Sequence, residues 1–233
     1  MKGRFAGRAL GVVILMAMAT ASAQAAVLYQ EDFSKESQIQ GFQGKWEDGG
    51  SSGSGAGKGS FHIAGGVLDG GNGDSPTADL VRWVTGDPTW TDVKVSSHIT
   101  VDGQNTGWVA LLARYKDVNN WYALRYSTGQ PTGQLPGDTP PSGDTELQII
   151  KMVGGTVSIL ADTTDGLPAI NASGADNATG ADFSLSVKGD KLSAAVNGKT
   201  LLTATDASLS AGQIGVAQQE YSPVWRNITV ETP

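Results

Sequence analysis

Apolar and polar residues alternate with period two along most of this chain, and Gly, Asn and Asp break the alternation repeatedly. Val93, Val95, Ser97, Ile99 and Val101 are set against Lys94, Ser96, His98 and Thr100, and Phe183, Leu185 and Val187 against Ser184, Ser186 and Lys188. A strand turns successive side chains to opposite faces, so each such run buries one side and wets the other. No stretch beyond the first 25 residues sustains a helical apolar period. In LSVKGDKLSAAVNGKTLLTA, Gly189-Asp190 and Asn197-Gly198 are two-residue hairpin signals between three short strands. A second meander runs through WVALLARY, a loop at Lys116 to Asn119, and NWYALRYS. After a Pro/Gly-rich insertion from Gln130 to Asp144 come ELQIIKMV, a Gly154-Gly155 turn and TVSILAD, and the chain closes with QIGVAQ and VWRNITVE. Roughly 11 to 14 short strands at this spacing predict an all-β fold, a two-sheet antiparallel β-sandwich of jelly-roll type. The Gly/Ser stretch from Gly49 to Gly59 reads as a surface loop, because residues 26–48 are too few to fold alone.

The first 25 residues are read as a leader. Lys2, Arg4 and Arg8 precede a short apolar run from Ala9 to Ala19, and Ala21-Ser22-Ala23-Gln24-Ala25 offers small residues in the spacing signal peptidase accepts. The run is shorter than the ~20 residues of a membrane-spanning helix. The expectation is a signal peptide over 1–25, a single domain over 26–233 and an exported product with no membrane span. Removing those three cations from 16 Lys+Arg leaves 13 against 23 Asp+Glu, so the net charge moves from −7 to −10. Such an acidic chain lacks the basic surface that nucleic-acid binding requires. With no Cys, disulfides, thiolate nucleophiles and Cys-held metals are excluded, and two His leave little room for a His-rich centre.

The segments LYQEDFS, WTDVKVSSHITV, GWVALLARYKDVNNWYALRY, FSLSVKGDKLSAAVNGKTLLTATDASLSAGQIGVA and VWRNITVE, in that order, resemble the concanavalin A-like lectin/glucanase superfamily. The resemblance is to the laminin-G-like jelly-roll modules of bacterial polysaccharide-active proteins and spans about residues 27–231. It implies a sandwich and a polysaccharide partner, and leaves activity to be argued from the site. The Glu-x-Asp-x-x-Glu run of family-sixteen glucanases is represented only by Asp144-Thr145-Glu146. The strand signatures of jelly-roll alginate lyases are missing. A carbohydrate-recognition domain is therefore the first reading, ahead of a polysaccharide lyase and then a glycoside hydrolase using Glu146.

Strand period puts Trp108, Ala110, Leu112 and Arg114 on one face, and Trp121, Ala123, Arg125 and Ser127 on one face of the next strand. Indole planes suit the apolar faces of sugar rings, and guanidinium forks suit uronate carboxylates or sulfates. Trp108, Arg114, Trp121, Arg125 and Lys151 are thus candidates to bind a polysaccharide of acidic type, and Arg82 is a further candidate for that face. The competing account has Arg114 paired with Asp117 and Arg125 with a loop acid, both holding the hairpin. Under the lyase alternative, Arg125 or Arg114 would neutralise the uronate while His98 or Tyr122 moved the proton, with Tyr126 and Lys94 as further acid/base candidates. His62 is a weaker candidate. Calcium is the expected ion, a structural one, at Asp32 (or Glu31) and Asn227, where the resemblance puts the first and last strands together. Asp69 to Asp74 is a second oxygen-rich candidate that an ordinary turn explains as well.

Overall fold

The computed structural model describes residues 25–34, 46–52, 62–69, 80–102, 107–128, 135–138, 145–172, 179–219 and 222–233. Among them there is no helix, and sixteen strands form two sheets. The larger contains β12 (Ala181–Lys188), β13 (Lys191–Val196), β14 (Lys199–Thr205), β6 (Val93–Asp102), β16 (Ser222–Glu231), β4 (Val67–Asp69) and β3 (His62–Ala64), in the order β14-β13-β12-β6-β16-β4-β3. Two further strands bring it to nine: β1 (Val27–Glu31) pairs with β16, and β11 (Asn171–Ala172) lies parallel to β6. The second sheet has seven strands: β10 (Thr156–Thr163), β9 (Glu146–Val153), β8 (Asn120–Thr128), β7 (Gly107–Asp117), β15 (Gln213–Gln219), β5 (Leu80–Thr85) and β2 (Trp46–Ser52). Apart from β11, the pairings are antiparallel. The expected all-β sandwich is what forms.

The core lies where the alternation predicts. Val93, Val95, Ile99, Val101, Phe183, Leu185 and Val187 point inward from the larger sheet and meet Val109, Leu111, Leu124, Leu147, Ile149 and Val216 of the smaller one. Burying a side chain of this size contributes about 1.5–3 kcal/mol. The chain is Cys-free, so no disulfide supplements that burial. The hairpin signals also operate as read: Asn197 and Gly198 take φ of 50° and 76° between β13 and β14, and Gly189 takes 56° between β12 and β13. Their positive φ matches the twist of the flanking strands.

Two local expectations are corrected. The β7–β8 connection is tighter than the four-residue loop foreseen, because β7 runs on to Asp117 and only Val118 and Asn119 turn. Gly49 to Ser52, read as loop, belongs to β2, and the remainder of that stretch lies outside the described residues. Residues 1–24 of the expected signal peptide over 1–25 also lie outside them.

Candidate functional site

The seven-stranded sheet keeps the predicted phase. Trp108, Ala110 and Leu112 of β7, Trp121 and Ala123 of β8, and Ile150 and Met152 of β9 face away from the inter-sheet core. Yet this outward face is closed. Trp108, Trp121 and Arg125 are each 0 % exposed, and with Leu135 and Val157 the apolar members form a second core. The Arg125 guanidinium lies over the Trp108 ring at 5.8 Å, and that of Arg82 over Trp121 at 5.8 Å. Arg125 also donates as a fork to Asp138, Nη1 to Oδ2 at 2.6 Å and Nη2 to Oδ1 at 2.9 Å, and through Nε to Gln148 Oε1 at 2.8 Å. Gln148 Nε2 passes the network on to Glu146 Oε1 at 3.0 Å. Each indole N–H is held internally, Trp108 by Gln219 Oε1 at 2.6 Å and Trp121 by Val118 O at 3.1 Å.

Asp138 arrives on a short strap, Leu135 to Asp138. Leu135 packs into the second core, and Pro136 O accepts the Val157 N–H at 2.8 Å. Gly137 has φ +80°, and a Cβ there would stand 2.6 Å from Thr156 Cγ2 and 2.9 Å from Val157 O, so only glycine lets the strap lie this close. The loop acid expected under the structural account of Arg125 is therefore Asp138, in a buried two-bond ion pair that pins the strap.

The other candidates are dispersed. Arg114 departs from period two because Ala113 and Arg114 together oppose Ile214, a β-bulge in which Arg114 takes φ 47°. Its guanidinium is buried and donates to Thr91 O and Leu209 O, both at 2.7 Å, and to Asp92 Oδ1 at 3.5 Å. Asp117, its foreseen partner, instead accepts from Asn119 N and the Asn120 amide within its own turn. Lys151 and Tyr122 are register partners pointing to the inter-sheet side. There Lys151 Nζ donates to Asp206 Oδ2 and, at 2.9 Å, to Ser208 Oγ, while Tyr122 Oη donates to Asp206 Oδ1 at 2.6 Å. Burial, reinforced by the Asp206 acceptor, pushes the Tyr122 phenol up to about 12. Burial alone would raise the Asp206 carboxyl, but its bonds from Lys151, Tyr122 and Ser208 outweigh it and hold the group well below the usual carboxylate range. Tyr126 is an inter-sheet residue whose Oη donates to Pro168 O at 2.7 Å.

His98 stands on the outer face of β6, its Nδ1 2.8 Å from Asp182 Oδ1. The three lyase candidates thus occupy three surfaces: His98 outside the nine-stranded sheet, Tyr122 between the sheets, Arg125 outside the seven-stranded one. Strand parity and sheet order keep them apart, so they do not meet on one bond. Of His62 only the β3 backbone is described. Glu146, the hydrolase candidate, is raised mainly by burial, and Asp138 in the same network is tied to Arg125.

For calcium the first and last strands do meet, with Glu31 opposite Ile228 beside Asn227. A hard cation takes six to eight oxygens, and the carboxylates here are engaged in local hydrogen bonds. Asp32 Oδ1 accepts the Ser34 N–H at 3.0 Å, and Glu31 accepts from Phe33 N at 3.0 Å and Tyr29 Oη at 3.2 Å. Among the described residues no three His, Asp or Glu side chains converge. The Asp69 to Asp74 candidate lies outside them beyond Asp69.

The outer face of the nine-stranded sheet is open. Lys94, Ser96 and His98 of β6, Ser184, Ser186 and Lys188 of β12, Lys191, Ser193 and Ala195 of β13, and Thr203 and Thr205 of β14 are all half-buried or exposed. A shallow groove of about 710 Å³ crosses β12, β13 and β14 on this side. Period two had marked the residues of β6 and β12 as solvent-facing, and apart from His98 their hydroxyl-rich character gave no functional signal on its own.

The same two-sheet sandwich occurs in solved structures that share little sequence with this chain. The carbohydrate-binding module CBM66 from Bacillus subtilis superposes with a TM-score of 0.55 at 18 % identity, covering 81 % of this chain and 96 % of that one. A β-glucanase from Bacillus licheniformis gives 0.56 at 13 % identity over 90 % and 100 % of the two chains. The exoplasmic/lumenal domain of VIP36 in its Ca2+/Man2-bound form gives 0.58 at 11 % identity over 91 % and 90 %. No protein-family model matches the chain, and neither does any curated protein.

Proposed function

We propose that the chain is an exported carbohydrate-binding domain that holds a polysaccharide, of acidic type, against the outer face of its nine-stranded sheet. The observation that carries this reading is the contrast between the two outer faces. The one with both indoles and the buried arginines is closed by its own side chains and the strap, whereas the other presents hydroxyls, amines and a groove to solvent. Structural neighbours that include a carbohydrate-binding module and a mannose-bound lumenal domain add support. Export rests on the basic, apolar and small-residue order of the first 25 residues.

The test is affinity electrophoresis of the domain through gels containing neutral and uronate-bearing polysaccharides. Ultraviolet absorbance of the same mixtures is followed to detect unsaturated uronates. Retardation in at least one uronate gel with flat absorbance is the expected result. Free migration in every gel would overturn the reading, and rising absorbance would replace it with lyase activity.

A further inference from the structure

We infer that the groove across β12, β13 and β14 is a subsite for the anionic substituent, carboxylate or sulfate ester, of a sugar residue, with Lys188 and Lys191 as its charge donors. This inference rests on the carbohydrate-binding reading and gives it a place and a ligand chemistry. The β-ladder sets two rows of side chains across the groove. Ser186 pairs with Ser193 and Ser193 with Thr203, forming a row of hydroxyls. Beside it, Lys188 pairs with Lys191 and Lys191 with Thr205. Neighbouring strands lie ~4.8 Å apart, close to the width of a pyranose ring, so each row offers one polar group per strand to a chain lying across the sheet.

Two lysines directly opposite one another across a hairpin repel. Among the described residues, no buried group forms a hydrogen bond with either lysine. Lys191 Nζ stands 3.4 Å from the exposed Asp190 carboxylate and 3.1 Å from Thr205 Oγ1, while Lys188 Nζ donates to Pro233 O at 3.1 Å in a bond that is also exposed. An exposed ion pair of that length contributes little. The neighbouring Lys94 is satisfied by Glu231 at 2.7 Å, whereas the hydrogen bonds of Lys188 and Lys191 are exposed. An anion between the two ammonium groups would relieve their repulsion, and the hydroxyl row would take the sugar's own hydroxyls in either donor sense. A chain of net charge −7 that keeps two lysines face to face beside hydroxyls therefore fits a glycan bearing regular negative groups. Flexible ammonium stems suit such point-charge contacts without a fixed fork geometry.

Titration calorimetry of the domain against oligouronate, sulfated dextran and neutral dextran tests the subsite, using the wild type, K188Q/K191Q and K188R/K191R. The expected result is tighter binding of at least one anionic glycan than of neutral dextran, weakened by added salt. K188Q/K191Q should lose about tenfold while K188R/K191R retains affinity, and both variants should melt with the wild type. Which anionic glycan wins separates carboxylate from sulfate. If K188Q/K191Q binds anionic glycans as the wild type does, the subsite is overturned and sugar binding stands. Equal or tighter binding of neutral dextran would overturn the anionic chemistry alone. If none of the three glycans binds, the subsite and the carbohydrate-binding reading both fall.

Discussion

The two outer faces of the sandwich obey the same strand period and have opposite fates. On the seven-stranded sheet, every second residue of β7, β8 and β9 points outward, and those positions hold Trp108, Trp121, Arg125 and Gln148. Large amphipathic side chains on neighbouring strands reach one another: guanidinium over indole, amide to guanidinium, carboxylate to fork. With the strap in place they make a second core around a buried ion pair. On the nine-stranded sheet Ser, Thr and Lys predominate at the outward positions of β6, β12, β13 and β14, too small or too strongly hydrated to cover a sheet, so that face stays wet. Outward by parity and outward to solvent are different properties, and side-chain size with local partners decides between them.

The comparison breaks first at Arg125. Replacing it with Ala strands Asp138, whose carboxyl is only 4 % exposed, and should destabilise the fold by about 3–5 kcal/mol in chemical denaturation. A loss below about 1 kcal/mol would mean that the ion pair does not hold this face closed. Trp121→Ala should cost a comparable ~3–5 kcal/mol and leave glycan affinity per folded molecule unchanged. Lost affinity at intact stability would return the binding role to the indoles. Gly137→Ala should be milder, on the order of 1–3 kcal/mol for strain at a positive φ, with the melting transition as readout. At the smallest end, Ser193→Ala on the open face should change stability by less than about 0.5 kcal/mol.

The Tyr122–Lys151–Asp206 cluster on the inter-sheet side sharpens the contrast through pH. Tyr122 has its folded pKa raised from 10.0 to about 12, so its contribution is complete below pH 10 and is lost as pH rises from 10 to 12. Asp206 has its carboxyl lowered from 3.8, so its contribution is present above that value and is lost as pH falls below it. Melting temperature should therefore drop at both extremes in the wild type. In Tyr122→Phe the alkaline drop between pH 10 and 12 should shrink.

The sheets, the inter-sheet core and the hairpins were legible because strand period and turn chemistry are local. Val93 to Val101 and Asn197-Gly198 carry their structure in a few neighbouring letters. The phase of Trp108, Trp121 and Arg125 was legible for the same reason, but their burial was not. It depends on Asp138, which sits in a Pro/Gly-rich insertion with no periodic signal, and on Arg82 reaching across from β5. Arg114 was misplaced because a bulge residue with positive φ breaks the alternation, and an Arg in that conformation carries no sequence mark. Lys151 and Tyr122 follow the opposite parity to the indoles. Their partner Asp206 comes from a loop 55 residues beyond Lys151, a pairing that only the fold creates. The facing pair Lys188 and Lys191 could have been seen, since the Gly189-Asp190 turn between them fixes their register.

Amide hydrogen exchange with and without the glycan that the domain binds tests the division of labour most directly. Protection gained over β12, β13 and β14, with β7, β8 and β9 unchanged, is the result expected if the open hydroxyl-and-lysine face binds and the indole face is structural. Protection gained over Trp108 to Thr128 and Glu146 to Val153, with the β12–β14 hairpins unchanged, would contradict it.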